Sequence, residues 1–137
     1  MDVVVKRNAR VTPKEVEELR LSVGWDANHG RYSAALKNTY ATFSIRSKGK
    51  LIAFARIVSD GSIYALIADL NVRPEFQNKG IGKKLMRYII RSIKKDGIRW
   101  LNLLFVSKNK KLDHFYRSLG LKIGKSAYLD FAYTPRR

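Results

Sequence analysis

Apolar positions recur along this chain with two periods, and each change of period marks a boundary between elements. Val16, Leu19 and Val23 share one face of a helix that starts at Thr12-Pro13-Lys14-Glu15, a capping box with proline in the first turn, and stops at Gly24. A short second helix is predicted over residues 32–38, carried by Ala34, Ala35 and Leu36. The period then drops to two, and residues 41–46, 50–59 and 62–72 read as three strands of an antiparallel meander, the last two joined by an Asp60-Gly61 turn. Helical spacing returns with Leu85, Ile89, Ile90 and Ile93 and breaks at Asp96-Gly97, ahead of the apolar run 100–106. The strand 62–72, the helix 80–95 and the strand 98–106 therefore make a right-handed crossover whose strands lie parallel. A last helix is predicted over 111–119, ending at Gly120, and a terminal strand over 127–133.

The stretch from strand to third helix, Leu70-Asn71-Val72-Arg73-Pro74-Glu75-Phe76-Gln77-Asn78-Lys79-Gly80-Ile81-Gly82-Lys83, carries the chemistry. Gly80 and Gly82 have no Cβ, so the backbone there can curl closely around a ligand and aim its N–H groups inward where the helix dipole is positive, a seat for a pyrophosphate. Neither the P-loop pattern G-x-x-x-x-G-K-[ST] nor the dinucleotide pattern G-x-G-x-x-G is present. What stands instead is Gln77-x-x-Gly80-x-Gly82.

Composition limits what such a loop serves. The 137 residues suit one domain, 1–137, with a single core. No apolar run approaches a bilayer span, and the start Met1-Asp2-Val3-Val4-Val5-Lys6 lacks the layout of a signal peptide, so a cytoplasmic protein without membrane attachment is expected. The chain has no cysteine and two histidines, His29 and His114, which leaves little for a metal. A formal charge of +17 invites an anionic partner, but the basic residues are dispersed and follow no nucleic-acid-binding pattern, so nucleic acid is admitted by charge and not favoured.

The Gln-x-x-Gly-x-Gly stretch at a strand-to-helix junction resembles the [Gln/Arg]-x-x-Gly-x-[Gly/Ala] signature of the GNAT superfamily of acyl-CoA-dependent N-acetyltransferases. Downstream, Asn109 and Tyr116 with Gly120 and Leu121 are similar to that superfamily's Asn-x-x-Ala-x-x-[Phe/Leu]-Tyr-x-x-x-Gly-Phe motif, Leu112 standing at the alanine and Leu121 at the phenylalanine. From Val23 to Tyr133 the chain looks like the small bacterial, cyanobacterial and plastid GNAT proteins, a group that includes serotonin N-acetyltransferases. The closing Gly-x-Lys-Gly-Met-Phe-Trp-Tyr-Pro pattern of those plastid enzymes is degraded in this chain.

The resemblance implies an α/β (α+β) GNAT fold, a mixed, mainly antiparallel sheet of about six to seven strands flanked by about four helices, with acetyl-CoA as co-substrate wedged where the two parallel strands diverge. Its binding residues would be Leu70, Asn71, Val72, Gln77, Asn78, Lys79, Gly80, Ile81, Gly82, Lys83, Asn109 and Tyr116, with the Val72 amide donating to the thioester carbonyl and Arg73 reaching a phosphate. Tyr116 would be the general acid for the sulfur, and Asp69, a carboxylate in an apolar strand, either the base or a structural acid. Trp25, Tyr32 and Tyr128 would line the pocket of a primary amine acceptor or belong to the core. An exposed terminal strand would pair two copies into a homodimer. The rivals are a non-catalytic basic nucleic-acid-binding module and an acyl-CoA sensor on the same fold.

Overall fold

In the computed structural model, which describes residues 2–28, 30–105 and 110–132, the capping box forms as read. The Thr12 hydroxyl accepts from the Glu15 amide at 3.2 Å while Glu15 Oε1 accepts from the Thr12 amide at 3.0 Å, starting α1 (Pro13–Ser22). α2 (Tyr32–Lys37) follows, and then a meander, β2 (Ala41–Ser47), β3 (Lys50–Ser59) and β4 (Tyr64–Val72), with the short β1 (Lys6–Arg7) on the far edge of β2. The Asp60 carboxylate accepts the amides of Ser62, Ile63 and Tyr64, which closes the hairpin and holds that carboxyl below its ordinary range. A single-turn 3₁₀ segment (Pro74–Phe76) leads into α3 (Ile81–Lys95), and β5 (Trp100–Leu103) returns parallel to β4. The sheet order is β1-β2-β3-β4-β5, antiparallel except for the last pair.

Each face of the sheet carries its own helices. Val16 and Leu19 of α1 and Tyr32 of α2 pack with Leu51 and Phe54 on one face. α3 buries Ile81, Leu85, Met86, Ile89 and Ile93, and its Tyr88 meets Phe43 edge-on at 5.9 Å, which places it over the opposite face. Residues Met1–Leu103 form one compact unit and Leu104–Arg137 a second. In the second, α4 (Lys110–Ser118) ends in a turn where the Leu119 and Leu121 amides both donate to the Tyr116 carbonyl.

Three expectations need correction. Residues 127–132 hold no strand, because a strand needs a ladder partner and none exists among the described residues of this unit; Tyr128, Leu129 and Phe131 are exposed. Five strands, not six or seven, form among the described residues, and β5 is shorter than the predicted 98–106, of which Val106 lies outside them. The mixed, mainly antiparallel α/β architecture, with four α-helices among the described residues, stands.

Candidate functional site

β4 outlasts its parallel partner. Their pairing runs from Tyr64↔Trp100 to Ile67↔Leu103, while among the described residues β4 continues to Val72 against β3 alone. The break coincides with a β-bulge: Asp69 and Leu70 stand against the single residue Ala55, and Asp69 takes a left-handed conformation, φ 58°. Such a bulge bends its strand and ends regular pairing. Beyond it, the Arg73 amide donates to the Ile52 carbonyl at 2.8 Å. Successive amides of a strand point to opposite sides, so the Val72 N–H and C=O face away from β3, toward the side on which β5 has ended. Gln77 Nε2 donates to that carbonyl at 2.8 Å, which leaves the Val72 N–H as the outward-facing donor.

The bulge is held by its own side chain. The Asp69 side chain, only 6% exposed, accepts at Oδ1 from Arg20 Nη1 and from the Tyr32 hydroxyl, each at 2.6 Å, and at Oδ2 from Arg56 Nε at 2.5 Å. Left-handed backbone at a non-glycine costs about 1–2 kcal/mol, which these charge-assisted bonds offset. Burial, and then the bond to Asp69, push the Tyr32 phenol up to about 12, so it stays a donor at neutral pH. Arg20 also donates to the Asp26 carbonyl at 2.6 Å and lies 5.2 Å from the centre of the half-exposed Trp25 ring. Of the proposed pocket aromatics, Trp25 is at the surface beside this cluster, whereas the Tyr32 ring is in the core at 2% exposure.

The connection into α3 has the features of an anion seat. Asn78 and Gly80 have φ of 61° and 79°. Gly80 is the N-cap, offers no side-chain cap, and is followed by a first turn with no acidic residue. A Cβ on Gly80 would meet nothing within 4 Å, so glycine is favoured there by its φ and the space above it is open. Gln77, Asn78, Lys79 and Gly80 are all exposed. The first-turn amides of α3 have no partner within the helix, and the dipole adds positive potential. Backbone donors at a positive helix end, with the exposed Lys83 beside them, suit a diphosphate. Lys79 stands 5.6 Å from the Phe76 ring centre, and Arg73 Nε donates to the Leu51 carbonyl at 2.8 Å.

In the second unit, Tyr116 is buried, its ring 4.7 Å from Phe105 and 5.2 Å from Phe115, and burial raises its phenol pKa. His114 on the same helix is exposed, as is Tyr128. Asn109 lies outside the described residues. The structure thus brings Asp69, Leu70, Asn71, Val72 and the 77–83 turn into one unit with Tyr32 and Trp25, and sets Tyr116 and Tyr128 in the other. Arg20 and Arg56 are the residues sequence reasoning missed. A signal existed for Arg56, a charge in the otherwise apolar run 51–58 beside a strand carrying an unexplained carboxylate.

Comparison with known proteins bears on the family and the fold. The Acetyltransferase (GNAT) family model matches residues 8–121. An uncharacterized N-acetyltransferase, ycf52, of the alga Gracilaria tenuistipitata var. liui is 33% identical over 125 residues, covering 88% of this chain and 67% of its own length. A ycf52-like N-acetyltransferase of Prochlorococcus marinus is 36% identical over 111 residues, 77% of this chain and 60% of that protein. Among solved structures, a GNAT family acetyltransferase of Streptococcus pneumoniae superposes with a TM-score of 0.80 at 24% identity, covering 95% of this chain and 99% of that one. AAC(6')-Iy, solved in complex with a CoA-linked bisubstrate analog, superposes with a TM-score of 0.71 at 16% identity over 99% of both chains.

Proposed function

The chain belongs to the acetyltransferase (GNAT) family, and on that premise we propose that residues 1–137 act as one domain that transfers an acetyl group from acetyl-CoA to a primary amine. The observation that supports this most is the bulged end of β4, whose outward-facing Val72 amide leads through Gln77 into an uncapped helix N-terminus. Bound acetyl-CoA supplies an activated thioester. The amides of residues 78–83 hold its diphosphate, with Lys79 and Lys83 adding charge; the main chain of Leu70 and Asn71 lies along its pantetheine arm, and Asn109 hydrogen-bonds that arm.

The Val72 N–H donates to the carbonyl oxygen as negative charge develops there. The amine nitrogen forms a bond to the carbonyl carbon, the carbon–sulfur bond breaks, and the Tyr116 hydroxyl gives its proton to the departing sulfur while the new amide loses one to water. A phenol whose pKa is raised by burial is protonated at neutral pH, as that role requires. Asp69 is best read as the structural acid, since both its oxygens are engaged by Arg20, Arg56 and Tyr32. The same two guanidiniums leave a net positive charge beside Trp25, which favours a single amine over a polyamine as acceptor.

The test is acetyl-CoA-dependent release of free thiol with a panel of arylalkylamines, peptides with free N-termini and lysyl peptides. At least one acceptor turns over, and Tyr116→Phe lowers kcat by about 10² or more while acetyl-CoA affinity stays within about twofold. Absence of thiol release across the panel overturns the transferase reading; unchanged kcat in the variant removes Tyr116 from the acid role.

A further inference from the structure

We propose that the side chain of Asn71 selects the acceptor, its carboxamide oxygen taking a hydrogen bond from an N–H of the attacking amine; this rests on the acetyltransferase reading above. Asn71 is 7% exposed, and its Oδ1 is buried with no hydrogen-bond partner among the described residues. A buried acceptor without a donor destabilises a fold, and an apolar residue of the same shape would remove that cost. The neighbours Leu70 and Val72 are apolar, so the strand itself does not call for an amide here.

The register says what the oxygen meets. Asn71 pairs with Phe54, so its side chain shares the face of the sheet on which Phe54 packs against Val16 and Leu19 of α1. Phe43, whose ring meets Tyr88 of α3, pairs with Ala55, the next residue along β3, and therefore marks the opposite face. The diphosphate seat at the start of α3 and the Asn71 oxygen accordingly serve the two faces of the sheet, and the Val72 amide lies between them at the strand end. A donor reaching Asn71 comes from the α1–α2 face, past Trp25 and the Arg20–Asp69–Arg56 cluster, and so approaches the thioester carbonyl from the side away from CoA. That is the nucleophile's approach. A site built around such an acceptor accepts molecules with a matching N–H and rejects analogues without one.

The test compares Asn71→Leu and Asn71→Ala with the unsubstituted protein, using whichever of tryptamine, a lysyl peptide or a peptide with a free N-terminus releases thiol fastest. Asn71→Leu keeps or raises Tm, and in both variants the acceptor KM rises about tenfold with the acetyl-CoA Kd unmoved. Three results overturn the inference: an acceptor KM that does not move, an acetyl-CoA Kd that weakens while the acceptor KM stands, which assigns the oxygen to a pantetheine amide, or a fall in Tm with both constants unchanged. An unsubstituted protein that neither binds acetyl-CoA nor releases thiol removes the transferase reading and this inference with it, whereas normal turnover with an unmoved acceptor KM removes this inference alone.

Discussion

Asp69 concentrates the physics of this site in one residue. Its carboxylate is almost fully buried, carries two guanidiniums and a phenol, and sits on the left-handed residue that ends the parallel pairing. Removing its charge deprives the Arg20 and Arg56 guanidiniums of the carboxylate they share, so Asp69→Asn is expected to cost about 3 kcal/mol, read as a lower midpoint in denaturant unfolding. If Asp69 is structural, the variant keeps the acidic limb of its kcat/KM profile at low temperature, where it remains folded; loss of that limb assigns it the proton instead. The residue stood out in the sequence as a carboxylate in an apolar strand. Its partners did not, because strict alternation places Asp69 on the face opposite Ala68 and Arg56, and only the bulge turns it toward them.

At the scale of elements, local signals were legible and the ones that need a distant partner were not. The capping box of α1 and the Asp60-Gly61 hairpin lie within a few residues of sequence, and both formed where read. Residues 127–132 carry the aromatics of a strand and pair with no other strand among the described residues. The capping box also gives a pH dependence. Arg46, donating to both oxygens of Glu15 at 2.5 and 3.0 Å, is the main cause that lowers its carboxyl from 4.5 to about 2. The folded value lies below the unfolded one, so this pair stabilises fully above pH 4.5 and is lost as pH falls from there toward 2. Glu15→Gln should therefore flatten the acid limb of thermal stability and cost about 1 kcal/mol at pH 7 after solvent screening; an unchanged acid limb contradicts the assignment.

For the whole molecule, two features set the conditions under which it works. The charge of +17 draws anions such as CoA toward the surface at low ionic strength, and part of that attraction is screened by salt. In the proposed function the directed part is carried by backbone geometry, the bulged strand end and the uncapped start of α3, which salt affects far less. Glycine placement made the turn before α3 readable in advance, since a positive φ at Gly80 is a local demand on one residue. An amide NMR titration with CoA tests the proposed diphosphate seat. The largest saturable shifts are predicted at the backbone amides of residues 78–83 and at Val72. Amides that stay unmoved there at saturation, or shifts confined to other parts of the chain, would contradict it.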